Sequence, residues 1–186
     1  IRDREIGPRF ISVRHFEPLY NIPCIFRAYE KVLQLYPNAT LDLLGRGSMR
    51  GQLEQYVAEH QLTGVRFVGQ VPNKEIYDYL AKADILLSSP RIDNMPVSVL
   101  EAMNAGLLVI SSRVGGVPYM INEVKGRPNK ATGLLFESDN ADELAEKMLW
   151  ALEHPDEVQT IITNAQAEVQ KYSWVNIRQQ LMKLYE

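Results

Sequence analysis

Short apolar blocks bounded by turn-forming residues alternate along this chain with longer stretches whose apolar positions recur at helical spacing. Phe10-Ile11-Ser12-Val13-Arg14 reads as a strand. From Pro23 to Leu35 the residues Cys24, Ile25, Ala28, Val32 and Leu35 share one helical face, and Pro37-Asn38 ends the pattern. Thr40–Leu44 is a second strand, followed by the turn Gly45-Arg46-Gly47-Ser48 and a helix around Leu53, Tyr56 and Val57. The alternation continues through a strand at Val65–Val68, a helix over Asn73–Lys82 and a short apolar strand at Asp84–Leu87. A helix from about Met95 to Ala105 then leads into the strand Leu107–Ile110. A last strand at Leu134–Phe136 precedes helices near 141–153, 156–171 and 173–185.

Five or six short strands, each followed by a helix, imply βαβ units and a parallel sheet covered on both faces. Leu41-Asp42-Leu43-Leu44 and Ile85-Leu86-Leu87 lack a clear polar face, as strands buried on both sides should. The fold class is therefore α/β, a doubly wound parallel sheet with a helical C-terminal tail. A ligand is expected at the carboxyl ends of the strands, where the strand order reverses.

Length and composition narrow the picture without adding chemistry. At 186 residues, 46% hydrophobic and 23% charged, the chain is the size of one globular domain. No apolar run reaches the roughly 18 residues of a membrane-spanning helix. A net charge of −3 gives no general pull toward nucleic acid. The charge is uneven, however: residues 1–136 carry +3 and residues 137–186 carry −6. The single cysteine, Cys24, cannot form an internal disulfide, which points to a reducing compartment. Because the chain opens at Ile1 without a signal-peptide layout, it reads as a piece of a longer protein.

The segment Asp93-Asn94-Met95-Pro96-Val97-Ser98-Val99-Leu100-Glu101-Ala102-Met103-Asn104-Ala105-Gly106 is the most informative. Pro96 suits a first helical turn and Gly106 a stop. Glu101 is the one charge in an otherwise apolar helix and needs solvent or partners. The helix start, with Met95, Val97 and Ser98 as amide donors, favours an anion such as diphosphate. The residues alone also allow a plainer reading. Ser98, Glu101 and Asn104 recur every three positions, as on the wet stripe of an amphipathic helix, and Asp93 could be an ordinary turn residue.

An acidic residue, seven intervening positions and Glu-Ala-Met-x-Ala-Gly are followed here by Val109-Ile110-Ser111-Ser112 and Val114-Gly115-Gly116-Val117-Pro118. This resembles the donor-site signature of the retaining glycosyltransferases of family 4 (group 1), which have two Rossmann-like domains in the GT-B fold. The resemblance extends upstream through Leu43-Leu44-Gly45-Arg46-Gly47, Val65-Arg66-Phe67-Val68-Gly69 and Ala83-Asp84-Ile85. Downstream it includes Thr132-Gly133-Leu134-Leu135 and Tyr172-Ser173-Trp174. It covers about residues 9 to 186 and implies that residues 1–186 form only the C-terminal, donor-binding half, the N-terminal acceptor domain lying elsewhere in the protein.

The resemblance implies a role for each matching residue. Glu101 accepts hydrogen bonds from the nucleotide's ribose hydroxyls, and Asp93 holds the donor sugar's hydroxyls. Asn94, Met95, Pro96 and Val97 shape the sugar and diphosphate pocket, next to Ser98. Arg14 neutralises the diphosphate and supports the leaving group, a task suited to bidentate arginine. Val71 and Asn73 contact the base. The implied donor is a nucleoside-diphosphate sugar, a UDP-sugar foremost, with no separate cofactor; no Asp-x-Asp occurs, and no metal site is expected from the residues. The implied setting is cytoplasmic glycan assembly, at the inner membrane face through peripheral association.

Two departures stand out. Asp93 replaces the family's usual glutamate, and the stretch Arg14-His15-Phe16-Glu17-Pro18-Leu19-Tyr20-Asn21-Ile22 lacks the usual lysine before a glycine. Arg46 or Arg91 are the candidate substitutes. The departures leave a second reading open, a degenerate transferase-fold module that binds a partner without catalysis. A dinucleotide oxidoreductase is disfavoured, since Gly45-x-Gly47 lacks the third glycine of that fingerprint and reads as a tight turn. His15, His60 and His154 have no metal-ligand spacing among themselves or with Cys24. His15 sits at the strand end by Arg14, where a structural role is preferred and a contact to ligand is the alternative. Cys24 reads as a buried, inert thiol. The final helix, from Ser173 to Tyr185, is expected by resemblance to return toward the other domain and to expose an apolar patch.

Overall fold

The computed structural model describes residues 5–123 and 128–185. Six parallel strands form one sheet: β1 (Arg9–Val13), β2 (Thr40–Leu44), β3 (Val65–Gly69), β4 (Ile85–Ser88), β5 (Leu108–Ser112) and β6 (Leu134–Phe136). Their spatial order is β3-β2-β1-β4-β5-β6, the doubly wound order that reverses direction between β1 and β4. The inner strands β4 and β5 are buried along their whole length, and β3 at the edge is only half-buried. That gradient explains the unbroken apolar runs in the inner strands.

Strand alternation divides the core into two layers. Phe10, Leu41, Leu43, Ile85, Leu87 and Ile110 face α1 (Ile22–Leu35), α2 (Arg50–Glu59) and α6 (Ala141–Glu153). Ile11, Leu86, Val109 and Leu135 face α3 (Asn73–Leu80), α4 (Val97–Asn104) and the short α5 (Val117–Met120). The helix α7 (Pro155–Val169) serves both: Val158, Ile161 and Ile162 join the first layer, Ala165 and Val169 the second. Inside the first layer, the Tyr29 hydroxyl donates to the carbonyl of Ala39 at 2.7 Å and meets that of Thr63 at 3.0 Å. A buried phenol that finds such acceptors avoids the cost of an unmade hydrogen bond.

The elements agree with the expectation to within a residue or two, with one informative shift. Pro96 lies outside α4 in extended backbone (φ −66°, ψ 109°), and the helix begins at Val97. The segment before it is therefore an open loop rather than a first turn. Four short pieces carry no readable periodicity: α5, and 3-10 turns at Pro18–Tyr20, Pro128–Lys130 and Gln170–Tyr172. Cys24 is fully buried, and burial pushes its thiol up to about 11. On the last helix, α8 (Trp174–Tyr185), Trp174, Val175 and Met182 are exposed. Among the described residues no helix is long and apolar enough to cross a membrane.

Candidate functional site

The carboxyl ends of β1 and β4, at the point where the strand order reverses, hold Arg14 and the loop to α4. Arg14 is the first residue past β1, and its N–H donates to the carbonyl of Leu44 at 3.0 Å. Its side chain turns toward β4. Arg14 Nε and Nη2 donate to Ser88 Oγ at 3.3 and 3.1 Å, and Nη1 meets Asp93 Oδ2 at 3.0 Å. Only 10% of the arginine side chain and 16% of the aspartate side chain are exposed. Burial lowers the guanidinium's pKa, while Asp93 and Tyr20 pull it back up. The two residues assigned to diphosphate and sugar, 79 positions apart in sequence, are thus joined by one shielded ion pair.

Glycines set the positions of both loops. A Cβ on Gly115 would overlap the carbonyl oxygen of Asp93, and one on Gly116 that of Asn94. The Gly116 N–H donates to the Asp93 carbonyl at 3.1 Å, so the β5–α5 turn clamps the β4–α4 loop backbone to backbone. Gly45 and Gly47 meet the carbonyls of Arg14 and Phe16 in the same way. Phe16 N–H donates to Arg46 O at 2.9 Å and Met49 N–H to Phe16 O at 2.9 Å. The expected tight turn is therefore also a close-approach surface for the loop that carries Arg14.

Beside Arg14 lies an open cleft of about 220 Å³, lined by residues including Val13, His15, Tyr20, Gly45, Val71 and Asn73. Three expected site residues, Arg14, Val71 and Asn73, meet here. The Tyr20 ring lies 5.4 Å from the Arg14 guanidinium carbon, a cation–π contact. His15 Nδ1 lies 3.2 Å from Arg46 O. Arg46 itself is exposed on the loop that Gly45 begins. Arg91 is occupied elsewhere: its guanidinium meets Asp139 at 2.7 Å and donates to Pro18 O at 3.0 Å.

That second use of Arg91 is structural. With Ser89 Oγ donating to the carbonyls of Tyr20 (3.0 Å) and Asn21 (2.9 Å), it straps the turn Pro18–Tyr20 to β4. Asn21 adopts left-handed backbone (φ 49°), and its Nδ2 donates to Asp139 Oδ1 at 2.9 Å. It supplies the conformation for which glycine is the usual residue.

On α4, Val97, Glu101 and Asn104 share the outward stripe, and Ser98 does not belong to it. Ser98 is buried, with a hydroxyl that finds no partner among the described residues. Glu101 is partly buried, and burial raises its pKa above the usual carboxylate value. Asn94, Met95 and Val97 are exposed around the helix tip, with Met95 at 52% and Val97 at 63%, while Pro96 is buried beneath them. The first amides of α4 have no partner within the helix, as at any helix start. Sequence spacing offers no signal for Ser88 or Tyr20, and for His15 it leaves a ligand contact open behind a structural role. The glycine pair was visible as a motif, but its clamp on Asp93 was not.

Comparison with known proteins agrees with this architecture. Residues 3–168 match the family described as Glycosyl transferases group 1. The chain is 30% identical over 148 residues to sulfoquinovosyl transferase SQD2 of Arabidopsis thaliana, covering 78% of this chain and 27% of that protein. It is 30% identical over 135 residues to the amylovoran biosynthesis glycosyltransferase AmsK of Erwinia amylovora, covering 69% and 32%. The chain thus spans well under half the length of these relatives. Among solved structures it resembles sucrose-phosphate synthase from Thermosynechococcus elongatus (26% identity, TM-score 0.82, 98% of this chain and 45% of that one). It has the fold of part of HepE from Anabaena, solved with UDP-glucose (22% identity, TM-score 0.82, 95% and 48%). It also matches a crystallised C-terminal domain of a group 1 glycosyl transferase from Francisella tularensis (21% identity, TM-score 0.79, 91% and 89%). The chain belongs to the group 1 glycosyl transferases, family 4, with the fold of a GT-B C-terminal domain.

Proposed function

We propose that this chain holds a nucleoside-diphosphate sugar, a UDP-sugar foremost, for retaining transfer of its hexosyl group to an acceptor hydroxyl. An N-terminal acceptor domain of the same protein would present that hydroxyl. The observation that carries the reading is the Arg14–Asp93 pair at the strand-order switch, which ties the cleft to the α4 tip. Diphosphate at the helix tip would face the first amides of α4 and Arg14. The ribose would reach Glu101, and the base would lie toward Val71 and Asn73. As the anomeric C–O bond breaks, its electron pair leaves on the diphosphate, and Arg14 lies where that charge grows. Asp93 would fix the sugar hydroxyls, so that most of the gain comes from positioning. HepE of Anabaena, which shares the fold, has been solved with UDP-glucose, and this supports the choice of donor.

Calorimetric titration with UDP-, GDP- and ADP-hexoses tests the proposal. It predicts saturable binding at millimolar concentration or tighter for at least one, abolished in Glu101→Ala. Failure of all of them to bind would overturn it in favour of a non-catalytic module on the same fold.

A further inference from the structure

The balance of charge in the cleft singles out one more residue. A nucleotide-sugar diphosphate carries two permanent negative charges. Against them stand Arg14 in the cleft, already paired with Asp93 at 3.0 Å, and, beyond that pair, the α4 tip, worth about half a positive charge. Arg91 is bound to Asp139, and the other lining residues besides His15, namely Val13, Tyr20, Leu44, Gly45, Gln70, Val71, Asn73 and Ile76, bring no cation. Among the described lining residues, His15 is the one further group able to carry a positive charge.

Its geometry suits the task. His15 is exposed, its ring tilted against Tyr20 at a centroid distance of 6.3 Å. Nδ1 lies 3.2 Å from Arg46 O, so an Nδ1–H donates there and Nε2 is left for a ligand. The charged residues around it are Arg14, next to it in sequence, Arg46, whose carbonyl it meets, and Glu17. Glu17 is itself held by Ser48 N–H at 2.8 Å and Ser48 Oγ at 2.6 Å. Asp93 faces Arg14, and the β3–α3 loop and the first residue of α3 contribute the uncharged Gln70, Val71 and Asn73.

We infer that His15 is a donor-binding residue that contacts the diphosphate through Nε2 and is protonated as the nucleotide sugar binds. The inference rests on the cleft being the donor site. An anion brought within hydrogen-bond distance favours the imidazolium, so binding draws a proton from solution.

The test is calorimetry of the 186-residue chain with UDP-glucose at pH 7.5, in buffers of different ionisation enthalpy. If UDP-glucose gives no heat, the GDP- or ADP-hexose that binds replaces it. These diphosphate diesters have no ionisation of their own near this pH, so any proton exchanged belongs to the protein. The wild-type chain takes up a substantial fraction of a proton. His15→Asn keeps the Nδ1-like donor to Arg46 O, loses the uptake and binds roughly ten-fold more weakly. His15→Lys, a permanent cation, binds without uptake and with affinity flat between pH 6 and 8. Binding without proton uptake, or uptake that persists in His15→Asn, overturns this inference and leaves the donor site standing. No binding of any nucleotide sugar overturns the donor site, and this inference with it.

Discussion

Arg14 is fixed before any ligand arrives. Ser88 and Asp93 hold three of its nitrogens, and with a tenth of its side chain exposed it has little freedom left to lose on binding. A shielded pair of this kind adds little to stability but punishes the loss of either partner. The arrangement is the one the proposed role asks for, a cation already in place where charge would grow on a leaving group. Glu101 shows the opposite economy. Its burial without a hydrogen-bonding partner among the described residues raises its pKa, which makes the ionised form a cost to the fold. That cost is full above the folded value and absent below the ordinary carboxylate value of about 4.3. Glu101→Gln should therefore raise the melting temperature of the ligand-free chain at pH 7, with a gain that shrinks as pH falls through the raised value. Thermal unfolding at pH 4 and pH 7 would show it, and an equal effect at both would contradict it. Asp93 and Glu101 could be singled out in the sequence because their spacing is local. The contacts of Arg14 with Ser88 and Asp93 could not, because they exist only once β1 and β4 lie side by side.

At the scale of elements, two glycine-bearing turns align the loops that carry the site. The β5–α5 turn presses on Asp93-Asn94, and the β2–α2 turn on Arg14–Phe16. Gly116→Ala must push the β4–α4 loop outward. Overpacking of this kind costs about 2 kcal/mol, or roughly 5 °C in a domain of this size, and nucleotide binding should weaken with it. Gly51→Ala is the control, since in α2 its Cβ would enter open space and the helix gains propensity. A Gly116→Ala chain that melts and binds like the parent would remove the clamp from the account. The strands and long helices were readable because burial imposes periods of 2 and 3.6 on their side chains. The start of α4 was placed two residues early because Pro96 suits both a first turn and the extended residue before one. The turn Pro18–Tyr20 is too short to show a period, and its αL residue is Asn21 rather than glycine.

For the whole molecule, the alternating pattern led to the correct fold class, and the observed order supplies what no linear pattern states, namely which strands flank the switch. Placing β1 beside β4 brings Arg14 and Asp93 together from two distant loops, and Val71 and Asn73 line the cleft beside them. The exposed Trp174, Val175 and Met182 lie on the last helix, the element expected to return toward a second domain. The central claim is one of place: the donor lies at the β1/β4 switch, between the cleft and the α4 tip. Amide chemical-shift mapping of the chain during titration with its tightest-binding nucleotide sugar tests it most directly. The predicted result is a set of perturbed amides confined to 14–15, 45–46, 70–73 and 93–101, the prolines 72 and 96 aside. Perturbations centred on α6 and α7, with those segments unmoved, would contradict it.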